Sequence, residues 1–395
     1  MHVLVIPSWY PESSADISGS FFREQAIALA KTHCKVGVIY PQRRSIRNWR
    51  HGVFGLDEAN DHNVSILRWY GIKWLSLYSG GNTLLWLRDG MRLYKRYVER
   101  HGVPDIIHAH AAIYGGVLAQ RISRRFGVPY VITEHSSAYA RDILDGRQKR
   151  LASDAMSHAS RRFAVSQSFC ALLEKYFGVA EGSWDTLPNM VNHMFTEFPL
   201  QSAKRKADDF VFVSIAALTK NKGVGDLINA FSRAFADVKG VMLVIGGDGV
   251  ERNHLRALVQ ELDLVSRVQF LGALSRGQVL EEVSAADAFV SSSHYETFGV
   301  AVAEALALGK PVIATRCGGP ESTVRKRDGM LVPPSDVVAL AGAMTIMRNN
   351  IEKYSALEIR HACVRRYSEA AIAERLIAYY KDVLVSKQGY PEKRV

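Results

Sequence analysis

Two doubly wound α/β domains are predicted for this 395-residue chain, on three observations. Unalternated apolar runs recur at 2–7, 35–40, 105–110 and 130–133. Helical patterns at 21–31, 84–100 and 114–126 lie between them, and the same alternation restarts beyond a polar stretch at 201–209. Strands buried on both faces read as continuous apolar runs, and their alternation with helices builds a parallel sheet. Segments 161–165 and 186–187 complete the first sheet. Gln201-Ser-Ala-Lys-Arg-Lys-Ala-Asp-Asp209 reads as a linker. Runs at 210–216, 241–245, 268–271, 288–292 and 311–314 then supply a second sheet. The expected domains are 1–200 and 201–376, followed by a terminal helix near 377–395. Ligands are expected in a cleft shared by the carboxyl ends of both sheets.

Composition narrows the partners. A net charge of +11 and a pI near 9.4 favour an anionic one. Cys34, Cys170, Cys317 and Cys363 lack metal-ligand spacing, and no run of eighteen apolar residues offers a membrane-spanning helix. With no signal-type segment at the start, the chain is expected to be cytoplasmic and reduced. Between 43 and 100, Lys and Arg outnumber acids and alternate with Trp49, Trp69, Tyr70, Trp74, Tyr78, Trp86, Tyr94 and Tyr97. That mixture suits a lipid headgroup interface, hence peripheral contact with an anionic membrane. In 84–100, Leu84, Leu87, Met91, Tyr94 and Val98 share one face while Arg88, Arg92, Lys95, Arg96 and Arg100 cover another. This is either an interfacial helix or a core-packing helix with a solvated basic back.

The stretch His294-Tyr-Glu296-Thr-Phe-Gly-Val-Ala-Val-Ala-Glu304 sets two carboxylates eight positions apart around a helix start. Thr297 fits an N-cap and Gly309 a C-terminal stop. First-turn N–H groups at Phe298, Gly299 and Val300 would form an anion site reinforced by the helix dipole. Glu304, two turns deeper, can take a vicinal diol such as a ribose, and Glu296 can reach the group beyond the phosphates. Lys220 and Lys222, where a strand gives way to a helix, supply cations for a diphosphate. Gly247, in Gly246-Gly247-Asp248-Gly249, permits close backbone approach. Gly-x-Gly-x-x-Gly and Gly-x-x-x-x-Gly-Lys-Ser/Thr are both absent, against a dinucleotide oxidoreductase and a P-loop NTPase. No Asp-x-Asp or His/Cys ligand pattern appears, so no metal ligands are assigned.

The Glu-x7-Glu spacing, with Gly-Lys-Pro-Val-Ile-Ala-Thr at 309–315 and Gly318-Gly319-Pro320-Glu321, resembles the motif of retaining GT-B glycosyltransferases, family 4 in particular. The resemblance implies two Rossmann-like domains, with the terminal helix near 377–395 packing back on the first, a nucleotide-sugar donor such as a UDP- or GDP-sugar, no cofactor or metal, and no protein nucleophile. It assigns Glu296 to the sugar hydroxyls, Glu304 to the ribose, Lys222 to the diphosphate and His135, in Thr133-Glu134-His135-Ser136, to the donor sugar. It implies a glycan or lipid-linked glycan acceptor in surface polysaccharide assembly, and no nucleic acid. Gly19 matches the family's glycine loop, although Ser20 stands where a second glycine is common. Arg23 is either an acceptor-phosphate contact or a surface arginine. Of His108 and His110, expected on opposite strand faces, His110 is the acceptor candidate. Ala217 stands where the family carries an arginine, leaving Lys220 as its substitute, and Pro188-Asn189-Met190-Val191-Asn192 resembles the interdomain turn. Two other readings stand beside this one: a non-hydrolysing nucleotide-sugar epimerase of the same fold, and a non-catalytic nucleotide-sugar-binding homologue.

Overall fold

The computed structural model describes residues 1–12, 16, 19–45, 54–73, 81–200 and 209–388. Trp49, Trp74, Tyr78 and the linker at 201–208 lie outside them. The chain forms two compact units. Unit 1 comprises Met1–Val165, Cys170–Leu187 and Ile372–Val395, and unit 2 comprises Ser166–Phe169 and Pro188–Ala371. The boundary thus falls at Leu187/Pro188, before the expected 200/201, and the terminal helix joins unit 1 from Ile372 rather than 377.

In chain order unit 1 runs β1 (His2–Pro7), α1 (Ser20–Ala30), β2 (Lys35–Arg44), β3 (Gly55–Asp61), β4 (Val64–Ile72), α2 (Gly81–His101), β5 (Ile106–His110), a π-helical turn (Ala111–Gly116), α3 (Val117–Phe126), β6 (Tyr130–Glu134), α4 (Gly146–Ser157), β7 (Arg161–Ala164), α5 (Gln167–Phe177) and β8 (Asp185–Thr186). Its eight strands order as β3-β4-β2-β1-β5-β6-β7-β8, all parallel except β3 against β4. The sequence expectation lacks β3 and β4. Their hairpin turns at His62 and Asn63, both at positive φ, which signals a tight turn without glycine. Strand β4 hides behind Arg68, a charge in mid-strand.

This addition revises the reading of 43–100. Tyr70, Trp86, Tyr94 and Tyr97 are all buried, so these aromatics fill the core and do not anchor to headgroups. Helix α2 packs Leu87, Leu93, Tyr94 and Tyr97 inward and keeps Arg88, Arg92, Lys95 and Arg96 exposed, the second of the two readings of that helix.

Unit 2 continues with α6 (His193–Thr196), β9 (Phe210–Ile215), α7 (Val224–Phe235), β10 (Val241–Gly246), α8 (Arg252–Glu261), β11 (Val268–Gly272), α9 (Arg276–Ala285), β12 (Ala288–Ser291), α10 (Val300–Ala307), β13 (Val312–Thr315), α11 (Gly319–Thr323), β14 (Gly329–Val332), α12 (Val337–Asn349), α13 (Ala356–Tyr367) and α14 (Glu369–Gln388), the last passing into unit 1. Its six strands, β11-β10-β9-β12-β13-β14, are parallel throughout. Order reverses direction at β9 and β12, the switch point at which such sheets bind ligands. Phe212, Leu227, Phe231, Phe235, Met344 and Met347 are fully or almost fully buried in its core.

Helix α14 docks on unit 1 through polar as well as apolar contacts. Tyr380, fully buried, brings its hydroxyl 2.6 Å from Nδ1 of His108, whose Nε2 lies 2.7 Å from Thr133 Oγ1. Tyr379 packs on Phe163 and under the guanidinium of Arg161, which also reaches Asp185 and Asp382. Contrary to the opposite-face expectation, His108 and His110 share a face, their ring centroids 4.3 Å apart. Residues i and i+2 of a strand point the same way.

Burial pushes the His108 imidazole down to about 3, and His110 also falls well below its ordinary value through burial and its histidine neighbours. Unfolded, both take up protons below about 6.5; folded, they stay neutral far below that. Stability from these residues is therefore complete well above pH 6.5 and declines as pH falls below it, for His108 by up to about 1.4 kcal/mol per unit down to about pH 3. We expect the midpoint of thermal unfolding of unit 1 to drop steadily from pH 7 to pH 5, and a flat profile would contradict the neutral buried pair.

Candidate functional site

In unit 2 the chain leaves β12 through Ser292 and Ser293, passes Glu296 and enters α10. The helix begins at Val300 with Gly299, at φ 85°, in the cap position, so Thr297 is not the N-cap. The Thr297 carbonyl instead accepts from Ser166 Oγ at 2.6 Å. The first helical N–H groups are consequently those of Val300, Ala301 and Val302, two residues later than expected, and Phe298 buries its ring against Tyr367. Gly309, at φ 72°, follows the helix end as expected.

Glu296 is fixed by its own backbone. Its N–H donates to Cys317 O at 2.9 Å, and its carbonyl accepts from Gly319 N at 2.8 Å. This bridge needs Gly318-Gly319. A Cβ on Gly319 would lie 2.4 Å from Phe298 backbone carbon, and Gly318, at φ 110°, would bring one within 2.7 Å of Glu296 O. With the backbone held, one Glu296 carboxylate oxygen accepts from both Lys222 Nζ and Ser293 Oγ, the latter at 3.0 Å.

Lys222 closes a single 3₁₀ turn, Lys220–Lys222, stitched to the Glu296 loop. Ser292 Oγ donates to Lys222 O, His294 N to Asn221 O, and Asn221 Nδ2 to Tyr295 O. Lys220 and Ala217 are both exposed. Lys220 borders a pocket of about 230 Å³ that Asp226, Glu251, His254 and His294 also line. Gly247, at φ 132°, lies so close to Ala216 O that a Cβ would overlap it at 1.8 Å. Glu304 is buried on α10 and accepts from Arg276 Nη2 at 2.8 Å, while that guanidinium packs 5.3 Å from the Phe195 ring.

In unit 1, His135 follows β6, its Nε2 3.1 Å from His110 Nδ1, with Phe22 packed on both rings. At 1% exposure His110 stands behind His135 rather than at a surface. Glu134, fully buried, orders this corner. One of its oxygens accepts from the N–H groups of His135 and Ser136, and the other from Ala112 N and Tyr139 Oη, all within 3.0 Å. Burial holds its carboxyl above the ordinary range against the pull of these donors. Ala112 belongs to the π-helical turn, which opens on Ala111 at φ 61°, a conformation L side chains seldom adopt and one found often at functional sites. Gly19 caps α1 at φ 78°. Arg23 is taken: Nε and Nη2 both donate to Asp61, at 2.5 and 2.8 Å.

Three side chains of these sites carried no sequence expectation. Arg276 lies inside a Ser-x-x-Gln capping pattern, Ser275 to Gln278, which marks a helix start but not a partner for Glu304. Ser293 offered no signal. Glu134 offered one, a carboxylate closing an apolar strand, where a buried charge demands donors.

Two family models match in tandem: "Glycosyltransferase Family 4" over residues 19–195 and "Glycosyl transferases group 1" over 196–361. Glycogen synthase of Mycobacterium tuberculosis is 27% identical over 264 residues, which is 65% of this chain and 63% of that protein. The lipopolysaccharide core biosynthesis glycosyltransferase LpsD of Rhizobium meliloti is 35% identical over 171 residues, 42% of this chain and 48% of LpsD. The chain therefore spans less than two thirds of the length of these relatives. Among solved structures, sucrose-phosphate synthase of Thermosynechococcus elongatus superposes with a TM-score of 0.78 at 22% identity over 98% of this chain and 100% of that one. Anabaena HepE in complex with UDP-glucose gives 0.68 at 18% identity over 97% and 100%. These likenesses carry the GT-B fold.

A Glu134→Gln variant keeps shape but turns one of two acceptor oxygens into a donor facing donors. We expect a loss of about 1–3 kcal/mol in chemical unfolding. An unchanged midpoint would show that Glu134 does not hold the His135 corner.

Proposed function

This chain belongs to the GT-B glycosyltransferases, its two family matches together running from residue 19 to 361, and we propose that it moves a sugar, with retention of anomeric configuration, from a nucleotide diphosphate to an acceptor hydroxyl. The observation that carries the reading is the Lys222–Glu296 pair on two stitched loops, with Glu304 eight positions on. Lys222 neutralises Glu296 while no anion is present. An arriving diphosphate draws the ammonium to itself and frees the Glu296 carboxylate for sugar hydroxyls. In this reading the N–H groups opening α10 add their dipole to the phosphate charge. Glu304, oriented by Arg276, takes the ribose diol. Charge on the leaving diphosphate is met by Lys222 and these amides, each positioned donor contributing on the order of 2–4 kcal/mol, without metal or cofactor. Within unit 2, Gly247 admits the donor beside the backbone and Lys220 stands in for the arginine missing at Ala217; within unit 1, His135 and Gly19 are the residues this reading offers to substrate. Attack comes from the face of the departing phosphate, whose oxygen takes the acceptor proton.

The acceptor in this reading is a lipid-linked or membrane-presented glycan of surface polysaccharide assembly, in line with the named role of LpsD. The exposed cations of α2, with Leu84 beside them, supply a surface for anionic lipid. No helix among the described residues is long and apolar enough to cross a membrane.

A thermal-shift panel of UDP, GDP, ADP and their sugar conjugates, with and without EDTA, tests the donor site. We expect one nucleotide family to raise the unfolding midpoint regardless of EDTA. In Glu304→Ala its affinity should weaken about tenfold or more. No shift with any nucleotide would sink the donor reading. For the membrane, reversing Arg92, Lys95 and Arg96 to Glu should abolish cosedimentation with anionic vesicles; unchanged binding removes that part of the proposal.

A further inference from the structure

Four arginines gather around β2, β4 and the segment following β1, and three of them have carboxylate partners. Arg23 holds Asp61, Arg43 holds Asp89 and Arg44 holds Glu12. Arg68 differs. It is 5% exposed, yet no carboxylate among the described residues lies within ion-pair distance of it. Its contacts are neutral: Nη1 donates to Tyr70 Oη at 3.0 Å and Nη2 to Pro11 O at 2.5 Å. The rings of Tyr10, Tyr40 and Tyr70 surround the guanidinium at 5.8, 5.9 and 5.7 Å. Arg68 Nε and Tyr10 Oη are both buried without a hydrogen-bond partner among the described residues.

A guanidinium stays protonated, so Arg68 is a buried cation whose desolvation is only partly offset. Its neighbour Arg44 lies 4.0 Å from the centroid of the same Tyr70 ring, so two cations share one phenol. Position adds to the charge argument. Register pairs Val5 with Val38 and Tyr40 with Arg68, which puts Arg68 level with Pro7, the last residue of β1. That level is the carboxyl edge of the parallel sheet, where such folds take ligands.

We propose that Arg68, with Tyr10 and Arg44, forms an oxyanion subsite of unit 1 that receives an anionic group of the acceptor, a phosphate ester or a sugar carboxylate. Arg23, occupied twice over by Asp61, does not serve this part. The acceptor's anion accepts from Arg68 Nε and Tyr10 Oη and displaces Glu12, whose side chain is 45% exposed, from Arg44. This assignment rests on the glycosyltransferase reading for what carries the anion, but its test does not depend on the donor.

The experiment follows the unfolding midpoint of the full chain in inorganic phosphate, glucuronate and glucose, for wild type, Arg68→Met and Lys222→Met. Replacing a buried cation that has no paired carboxylate by an apolar side chain leaves stability equal or higher. We therefore expect Arg68→Met to start at or above the wild-type midpoint. Phosphate or glucuronate, but not glucose, should raise wild type and Lys222→Met by about 2–4 °C and leave Arg68→Met unmoved. A rise with phosphate alone assigns a phosphorylated acceptor, and a rise with glucuronate alone an acidic sugar; either supports the subsite. Arg68→Met that keeps the anion response, or wild type that responds to neither anion, overturns it. Loss of the response in Lys222→Met with retention in Arg68→Met also overturns it and places the anion on Lys222. A nucleotide response retained by Arg68→Met keeps the donor reading standing whatever the anions do.

Discussion

Everything in the unit 2 site depends on the backbone bridge that ties Glu296 to the turn after β13. Peptide groups on both sides of Glu296 are committed to Cys317 and Gly319, so its carboxylate has few directions left. The bridge sets where Lys222 must come, and it forces the loop to use two more residues before the helix can begin at Val300. Gly318 and Gly319 follow from it, because no side chain fits against the Glu296–Phe298 backbone. A site preorganised by main-chain bonds does not have to order flexible side chains when substrate arrives.

Unit 1 meets a different constraint: polar groups deep inside an apolar sheet. Glu134 satisfies its lone pairs with three backbone N–H groups and one phenol, and His108 finds a hydroxyl for each ring nitrogen. In a low dielectric such bonds are strong and their loss is heavily penalised, which fixes side chains in one arrangement. The π-helical turn at Ala111 fits this scheme. Its unusual backbone presents Ala112 N to Glu134, so the carboxylate holds the irregular turn and the His135 loop together.

Sequence periodicity located the central parallel strands of both sheets because their apolar runs are continuous and their helices are regular. It missed β3 and β4, where a mid-strand arginine and a turn without glycine conceal the pattern, and β14, a four-residue strand that opens on Gly329. The same gap turned Tyr70, Trp86, Tyr94 and Tyr97 into an apparent surface, since composition cannot say which side of an aromatic-basic stretch faces inward. Spacing singled out Glu296, Glu304 and Lys222 as candidates because those residues sit in position-specific motifs, and the structure joins Glu296 to Lys222 by a hydrogen bond. Arg276 and Glu134 act through contacts distant in sequence or through backbone donors, neither of which leaves a motif. His110 was read as an acceptor contact, and neither its depth nor its contact with His135 left a signal in the sequence.

The division of the chain has a bearing on its synthesis. Nearly all of unit 2 is one continuous stretch, Pro188–Ala371, whereas unit 1 waits for Ile372 onward. The hydroxyl that faces His108 comes from Tyr380, so for most of translation the first sheet carries an imidazole with a missing partner and an uncovered apolar surface beneath Tyr379 and Tyr380. The first sheet is thus completed only after the second unit has been made, and until then its apolar surface has no cover from Tyr379 and Tyr380.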